Sequence, residues 1–191
     1  LIGGKEVRTG SMGRCVCPHD HGHTLATYHK AGPAEVRLAV EAAASAWRTW
    51  SVMPWEERVA VSLKAAEIIS RQRRSLVNAS TMLCQSKTCH QSEIDAICEL
   101  ADFLRMNTWF MQQIYQIQPE NFAATWNRME YRALEGFVFA ISPFNFTAIG
   151  GNLSMAPALA GNTVLWKPAS TAVYSNWMVM QAFMDAGLPP G

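Results

Sequence analysis

Gly136-Phe-Val-Phe-Ala-Ile141 is a continuous apolar run that ends in Ser142-Pro-Phe-Asn-Phe146. A short apolar run between a glycine and a proline turn suits a strand covered on both faces, as in parallel sheets. Thr147 to Ala160, small and apolar, fits a helix packed tightly on that sheet, and Gly161-Asn162 closes it. Thr163-Val-Leu-Trp166 reads as a second buried strand, and Thr171 to Ala186 as a second helix stopped by Gly187 and Pro189. The order β-α-β-α implies parallel strands and a right-handed crossover, the opening of a nucleotide-binding α/β domain. Two strands do not complete a doubly wound sheet, so the sheet is incomplete.

Upstream, Gln118 to Glu135 breaks helical period and is rich in Asn, Pro and Thr, which marks a linker with an extended arm around Thr125 to Arg132. Before it lie three helical patterns. Val36, Val40, Ala43, Trp47 and Trp50 recur at +4, +3, +4 and +3 after Gly32-Pro33. Pro54 opens a second helix with Val59, Leu63, Ala66 and Ile69 as its expected buried stripe. A third and longer helix has Ile94, Ile97, Ala101, Leu104 and Met111 inward, and Glu93, Asp95, Glu99, Asp102 and Arg105 mostly outside that stripe. Residues 1 to 30 read as extended, with strand character at Leu25-Ala-Thr-Tyr28. The expected organisation is an N-terminal extended segment and helical layer over 1–117, a linker or oligomerisation arm over 118–135 and the start of the dinucleotide-binding sheet over 136–191.

Of the 191 residues, 49% are hydrophobic and only 16% charged, against about 25% charged in an ordinary soluble domain. Such a chain must bury much of its surface. A formal net charge of +1 gives no reason to expect nucleic-acid or polybasic membrane contact. The apolar stretch Gly136 to Trp166 is interrupted by Pro143, Asn145, Asn152, Pro157 and Asn162, which argues against a membrane span. Five cysteines, Cys15, Cys17, Cys84, Cys89 and Cys98, are an odd number in no secreted spacing, and reduced thiols in a cytosol or organelle matrix fit better.

Ligands of open α/β sheets bind outside the carboxyl ends of the strands. Asn145 lies there, after the stiff Pro143, and its carboxamide N–H could donate to a developing oxyanion. An asparagine at a strand end equally serves as a turn or cap residue. Lys167, at the end of the next strand, could reach ribose hydroxyls or a phosphate, or could be a solvated surface lysine. Cys15, Cys17, His19, His21 and His23 alternate, so one extended strand would place all five on one face, a set able to hold zinc or copper. Pro18 and Gly22 interrupt such a strand.

The run Glu135-Gly-Phe-Val-Phe-Ala-Ile-Ser-Pro-Phe-Asn-Phe-Thr-Ala-Ile-Gly-Gly-Asn152 closely resembles the pyrroline-5-carboxylate dehydrogenase branch of the aldehyde dehydrogenase superfamily. So do Pro157-Ala-Leu-Ala-Gly-Asn162 and Val164-Leu-Trp-Lys-Pro168. Earlier pieces agree: Pro18-His-Asp-His-Gly-His23, Lys64-Ala-Ala-Glu67 and Gln91-Ser-Glu-Ile-Asp95. The resemblance covers nearly the whole chain and implies an α/β, aldehyde dehydrogenase-like fold: a helical layer plus the first β-α-β-α of a Rossmann-like cofactor domain. It implies oxidation of glutamate γ-semialdehyde to glutamate in proline degradation with NAD as cofactor and NADP as the alternative. A homo-oligomer of the full-length protein follows by resemblance. A mitochondrial matrix location follows in the same way, with the cytoplasm as the alternative.

Position by position, Asn145 resembles the oxyanion-hole asparagine and Phe146 the aromatic wall for the substrate's methylenes. Ser142, Pro143 and Phe144 resemble the segment that runs along the dinucleotide, and Lys167 the lysine that bonds the adenosine ribose. Ser170 stands where many relatives carry an acid, and Glu93 matches a glutamate near the active site. The pattern also implies that the nucleophilic cysteine, the general-base glutamate and a glycine motif lie beyond Gly191. On that expectation the chain is the N-terminal part of an enzyme. The alternative is a catalytically inactive binding or interaction module. Related enzymes carry the Pro18-to-His23 stretch as ordinary structure, so no metal site is assigned to it.

Overall fold

In the computed structural model, which describes residues 1–190, the chain runs from an antiparallel hairpin through a helical layer into a parallel strand pair. Strand β1 (Met12–Cys17) pairs with β2 (Asp20–His29) from Met12↔His29 to Cys17↔Asp20, with register irregularities at Cys15–Cys17. Before it, Gly3 and Gly4 sit at φ 54° and 75° and close the tight Ile2↔Lys5 bridge, a conformation that carries little penalty for glycine. The hairpin separates the alternating cysteines and histidines. Cys15 and Cys17 are buried on β1, whereas His19, His21 and His23 lie on the turn and β2 and are exposed. The single-face arrangement expected of an uninterrupted strand is therefore not formed.

Helix α1 (Pro33–Trp50) begins at Gly32, whose N–H donates to the Glu35 carboxylate at 2.7 Å. Its anchoring bonds come from its second half: Thr163 Oγ1 donates to Ala43 O, Trp47 Nε1 to Leu134 O and Trp50 Nε1 to Ala158 O. Val36, expected on the buried face, is exposed in the first turn.

Helix α2 (Trp55–Glu67) follows Pro54 and runs through a π-helical turn, Ile68–Gln72, towards α3 (Arg74–Gln85), a helix not singled out from the sequence. The expected stripe of α2 holds at Ala66 and Ile69, with Val59 half-buried, and fails at Leu63. Leu63 is exposed, and Arg58, Ser62, Ala65 and Ala66 are buried, followed by Ile69. Two polar residues occupy the core-facing side because the neighbouring helices supply acceptors. Ser62 Oγ donates to Leu104 O at 3.0 Å and Arg58 Nε to Leu159 O at 3.0 Å. A hydrophobicity pattern counts such residues as outward, so the stripe read from it misses Arg58 and Ser62.

After Ser86, α4 (Cys89–Ser92) opens with a Thr88–Gln91 capping box and continues through a π-helical turn, Glu93–Cys98, into α5 (Glu99–Gln116). The π turn shifts side chains off the 3.6-residue period. Ile94 is consequently exposed while Ala96 and Ile97 are buried. Residues 118–135 hold no helix and only the Phe122↔Thr125 bridge. Their end is clasped by Asn162, whose amide bonds both the N–H and the carbonyl of Leu134 at 3.3 and 3.0 Å.

Strand β3 (Phe137–Ile141) pairs in parallel with β4 (Thr163–Lys167), from Phe137↔Thr163 to Ile141↔Lys167, on either side of α6 (Thr147–Leu159). A short 3₁₀ turn, Ser170–Ala172, leads into α7 (Val173–Ala186). The expected β-α-β-α order and parallel pairing are present. Full coverage of the first strand is not. Ala140 is buried, but Phe137, Phe139 and Ile141 are exposed on the alternate face. Glycines bring α6 close to its neighbours: a Cβ on Gly151 would lie 2.8 Å from the Leu100 methyls. The core joins Ile69, Ile97, Leu100, Met155, Val179 and Phe183. No described helix is long and apolar enough to cross a membrane.

Candidate active site

The parallel pair brings the ends of β3 and β4 side by side. Ser142 N–H extends the ladder by donating to Lys167 O at 3.2 Å, and Ser142 Oγ accepts from Trp166 Nε1 at 3.1 Å. Ser142 is buried, so its side chain supports the sheet end from below. The chain then turns outward through a half-buried Pro143, an exposed Phe144 and an exposed Asn145. Phe146 is extended at φ −138° and caps α6. The Asn145 carboxamide makes no hydrogen bond to another described residue, so its donor is available at the strand ends.

Thr147, the first residue of α6, faces the interior. Its hydroxyl shares a hydrogen bond with Thr81 Oγ1 at 2.8 Å and accepts from Gln85 Nε2 at 2.9 Å. These buried contacts fix where α6 starts and hence where Asn145 and Phe146 stand.

A residue not singled out from the sequence, Lys87, meets the same turn. Lys87 Nζ donates to the Asn145 carbonyl at 2.5 Å, pairs with Asp95 Oδ2 at 2.7 Å and lies 4.2 Å from the Phe146 ring centroid. The Lys87 side chain is only 13% exposed. It follows Ser86, which ends α3 in the left-handed region at φ 51°. Nothing in the sequence marks a lysine between a helix end and a capping threonine, because the turn it holds begins 58 residues downstream at Asn145. Nearby, burial and the charge of Asp95 raise the Glu99 carboxyl, and Lys87 opposes them.

Glu93 sits at the head of the π turn. It is ion-paired with Arg74 and accepts from Asn78 Nδ2 at 2.6 Å. Burial pushes its carboxyl upward, but the Asn78 and Arg74 hydrogen bonds outweigh this and hold it below the ordinary carboxylate range. Glu93 is thus an ionised, doubly tethered group; no contact joins it to Asn145 among the described residues.

Lys167 and Ser170 are exposed at and just after the end of β4. An ammonium and a hydroxyl here, beside the outward turn at 143–145, suit the hydroxyls of a nucleotide ribose. A separate cleft lies elsewhere. It measures about 610 Å³ between α1, β4 and α7, is lined by Trp50, Trp166, Trp177, Met180 and Phe183, and includes none of Asn145, Phe146, Lys167 or Ser170.

The thiols serve other contacts. Cys15 donates to Thr171 O at 3.2 Å and Cys17 lies 3.2 Å from His19 Nε2, while Cys98 faces Glu93 at 3.7 Å. Among the described residues no three His, Cys, Asp or Glu side chains cluster as a metal site.

Residues 7–191 match the aldehyde dehydrogenase family. The chain belongs to that family. It is 54% identical over 192 residues to the mitochondrial Δ1-pyrroline-5-carboxylate dehydrogenase of Dictyostelium discoideum, covering 100% of this chain and 34% of that protein. The crystal structure of the Mycobacterium tuberculosis Δ-pyrroline-5-carboxylate dehydrogenase superposes with a TM-score of 0.98 at 48% identity, covering 100% of this chain and 36% of that one. The same enzyme bound with NAD superposes at 0.96 with 47% identity, covering 99% and 36%. The chain spans about a third of the length of these relatives.

Proposed function

We propose that this chain carries the oxyanion donor and part of the cofactor groove of an enzyme that oxidises glutamate γ-semialdehyde to glutamate with NAD. The observation that carries the reading is the exposed Asn145 carboxamide beside Lys167 and Ser170 at the ends of two parallel strands, in a chain 54% identical to a named Δ1-pyrroline-5-carboxylate dehydrogenase.

In this reading the Asn145 N–H donates to the oxygen of the aldehyde as attack by a thiolate makes it negative. The charge exists in the transition state and intermediate and not in the free aldehyde, so the bond favours the reaction over simple binding. Phe146 forms a wall for the substrate's methylene groups. Lys167 and Ser170 hold the ribose, with Pro143 and Phe144 alongside and Ser142 supporting them. NAD, when bound, supplies the hydride acceptor. By resemblance to the family the attacking thiolate is placed outside the five cysteines here; Cys15, Cys17 and Cys84 are buried, Cys98 faces Glu93, and the exposed Cys89 is the first residue of the short helix α4. Assembly of the full-length protein as a homo-oligomer in the mitochondrial matrix completes the reading.

The test uses a protein of full family length containing this segment, purified and mixed with NAD and Δ1-pyrroline-5-carboxylate. NADH formation abolished by a thiol-blocking reagent is expected, and the 191-residue polypeptide alone should give none. A full-length protein that reduces NAD with other aldehydes but not with this one would overturn the substrate assignment.

A further inference from the structure

Lys87 touches the Asn145–Phe146 turn in two ways, through the Asn145 carbonyl and over the Phe146 ring, and it is itself held by the Asp95 carboxylate. The Lys87 side chain is only 13% exposed, which limits the competition of water for its contacts. Its own backbone is fixed on both sides. Ser86 is in the left-handed region, with its hydroxyl 2.8 Å from His19 Nδ1, and Thr88 caps α4. Asp95 rides on the π turn that opens the long helical run into α5. The clamp therefore connects rigid elements to a turn whose exposed side chain, Asn145, has no hydrogen bond to another described residue.

We propose that Lys87, clamped by Asp95, is a positioning residue that holds the Asn145 carbonyl and Phe146 ring and so aims the Asn145 carboxamide at the substrate oxygen. The inference rests on the oxidation reading above. Fixing the carbonyl of Asn145 fixes the rotation about its Cα–C bond, which leaves only the side-chain torsions to set the amide. A misplacement of about 1 Å at such a donor can lower a rate by roughly 10²-fold. Lys87→Met keeps the apolar stem and removes the charge. Lys87→Arg keeps a donor able to span the carboxylate and the carbonyl.

The experiment places Lys87→Met, Lys87→Arg and Asp95→Asn in the full-length enzyme and measures steady-state kinetics with Δ1-pyrroline-5-carboxylate and NAD. Cleavage after the exposed Phe144 by chymotrypsin is followed in parallel. Lys87→Met should lower kcat by roughly 10²-fold with the KM for NAD within about twofold, since Lys167 and Ser170, which hold the ribose, make no contact with Lys87. It should also quicken cleavage at Phe144. Lys87→Arg should recover much of kcat, and Asp95→Asn, which leaves the lysine in place but unclamped, should show a smaller fall. Should Lys87→Met fail to fold, the Arg and Asn variants decide the matter by the same two readouts. An unchanged cleavage rate, or faster cleavage with unchanged kcat, overturns the proposal. An inactive wild-type enzyme overturns the oxidation reading instead, and faster cleavage of Lys87→Met would then still establish the clamp.

Discussion

Asn176 of α7 packs its side-chain oxygen directly against Gly150 of α6: a Cβ added at Gly150 would overlap that atom and stand 3.5 Å from Ser142 Oγ. Asn176 is buried, and its Nδ2 donates to Ala172 O at 2.8 Å, while its Oδ1 has no hydrogen-bond partner. Gly150→Ala should therefore destabilise the protein by about 1–3 kcal/mol, the usual range for overpacking. The helix-propensity gain of about 1 kcal/mol from replacing glycine opposes this only in part. Denaturant unfolding measures it. Adding Asn176→Ala should relieve part of the loss, and full additivity of the two changes would show that they do not collide.

Asn145→Ala in the full-length enzyme should lower kcat by roughly 10²–10³-fold, equivalent to about 2.7–4 kcal/mol, and leave the affinity for NAD nearly unchanged. Asn145 is exposed and its side chain supports no packing, so melting should shift little. An unchanged kcat would make it a turn residue only.

Ser170 occupies the first position of the 3₁₀ turn after β4 and is exposed. A carboxylate there would repel a 2′-phosphate by roughly 4 kcal/mol at about 4 Å and an effective dielectric of about 20, before water in an open groove reduces it. Ser170→Glu should raise the NAD-to-NADP preference by roughly tenfold, mainly through the KM for NADP. Steady-state kinetics with both cofactors decides it, and a fixed ratio would remove Ser170 from the ribose site.

The thiols should alkylate in a defined order at about pH 8, the range where unperturbed cysteines begin to ionise. Cys89 is exposed and should react first. Burial and the charge of Glu93 raise the Cys98 thiol, so it holds less thiolate and should lag. Cys84 is buried and raised by its hydrogen bond to Cys15 and by desolvation, so it should stay unmodified until the protein unfolds. Mass spectrometry after brief iodoacetamide treatment reads the order, and early labelling of Cys84 would contradict its burial.

Glu93 sets an acid limit. Its folded-state carboxyl lies below the ordinary value because the Asn78 and Arg74 bonds outweigh burial. The stabilisation is present above about pH 4.3, the unperturbed glutamate value, and is lost as pH falls through the folded value. Glu93→Gln should flatten the decline of stability in that acid window, measured by chemical denaturation. An equal slope in both proteins would show that other carboxylates set it.

Much of this architecture was legible locally. The parallel pair from Phe137 and from Thr163, the intervening helix and the outward turn at Pro143-Phe-Asn145 follow from apolar runs bounded by Gly, Pro and Asn, whose backbone preferences act within a few residues. Asn145 and Lys167 could be placed at the strand ends for the same reason, and the resemblance to aldehyde dehydrogenases rested on those motifs. Three features needed the folded chain. The buried face of α2 turns on Arg58 and Ser62, which are tolerable inside only because Leu159 and Leu104 present carbonyls to them. Ile94 points outward because a π turn rotates the register. Lys87 meets Asn145 because α3 ends where the β3–α6 turn passes, a coincidence of packing between segments far apart in the chain. Local conformational preference is written residue by residue, whereas hydrogen-bond partners for buried polar groups come from other segments and exist only once those segments pack.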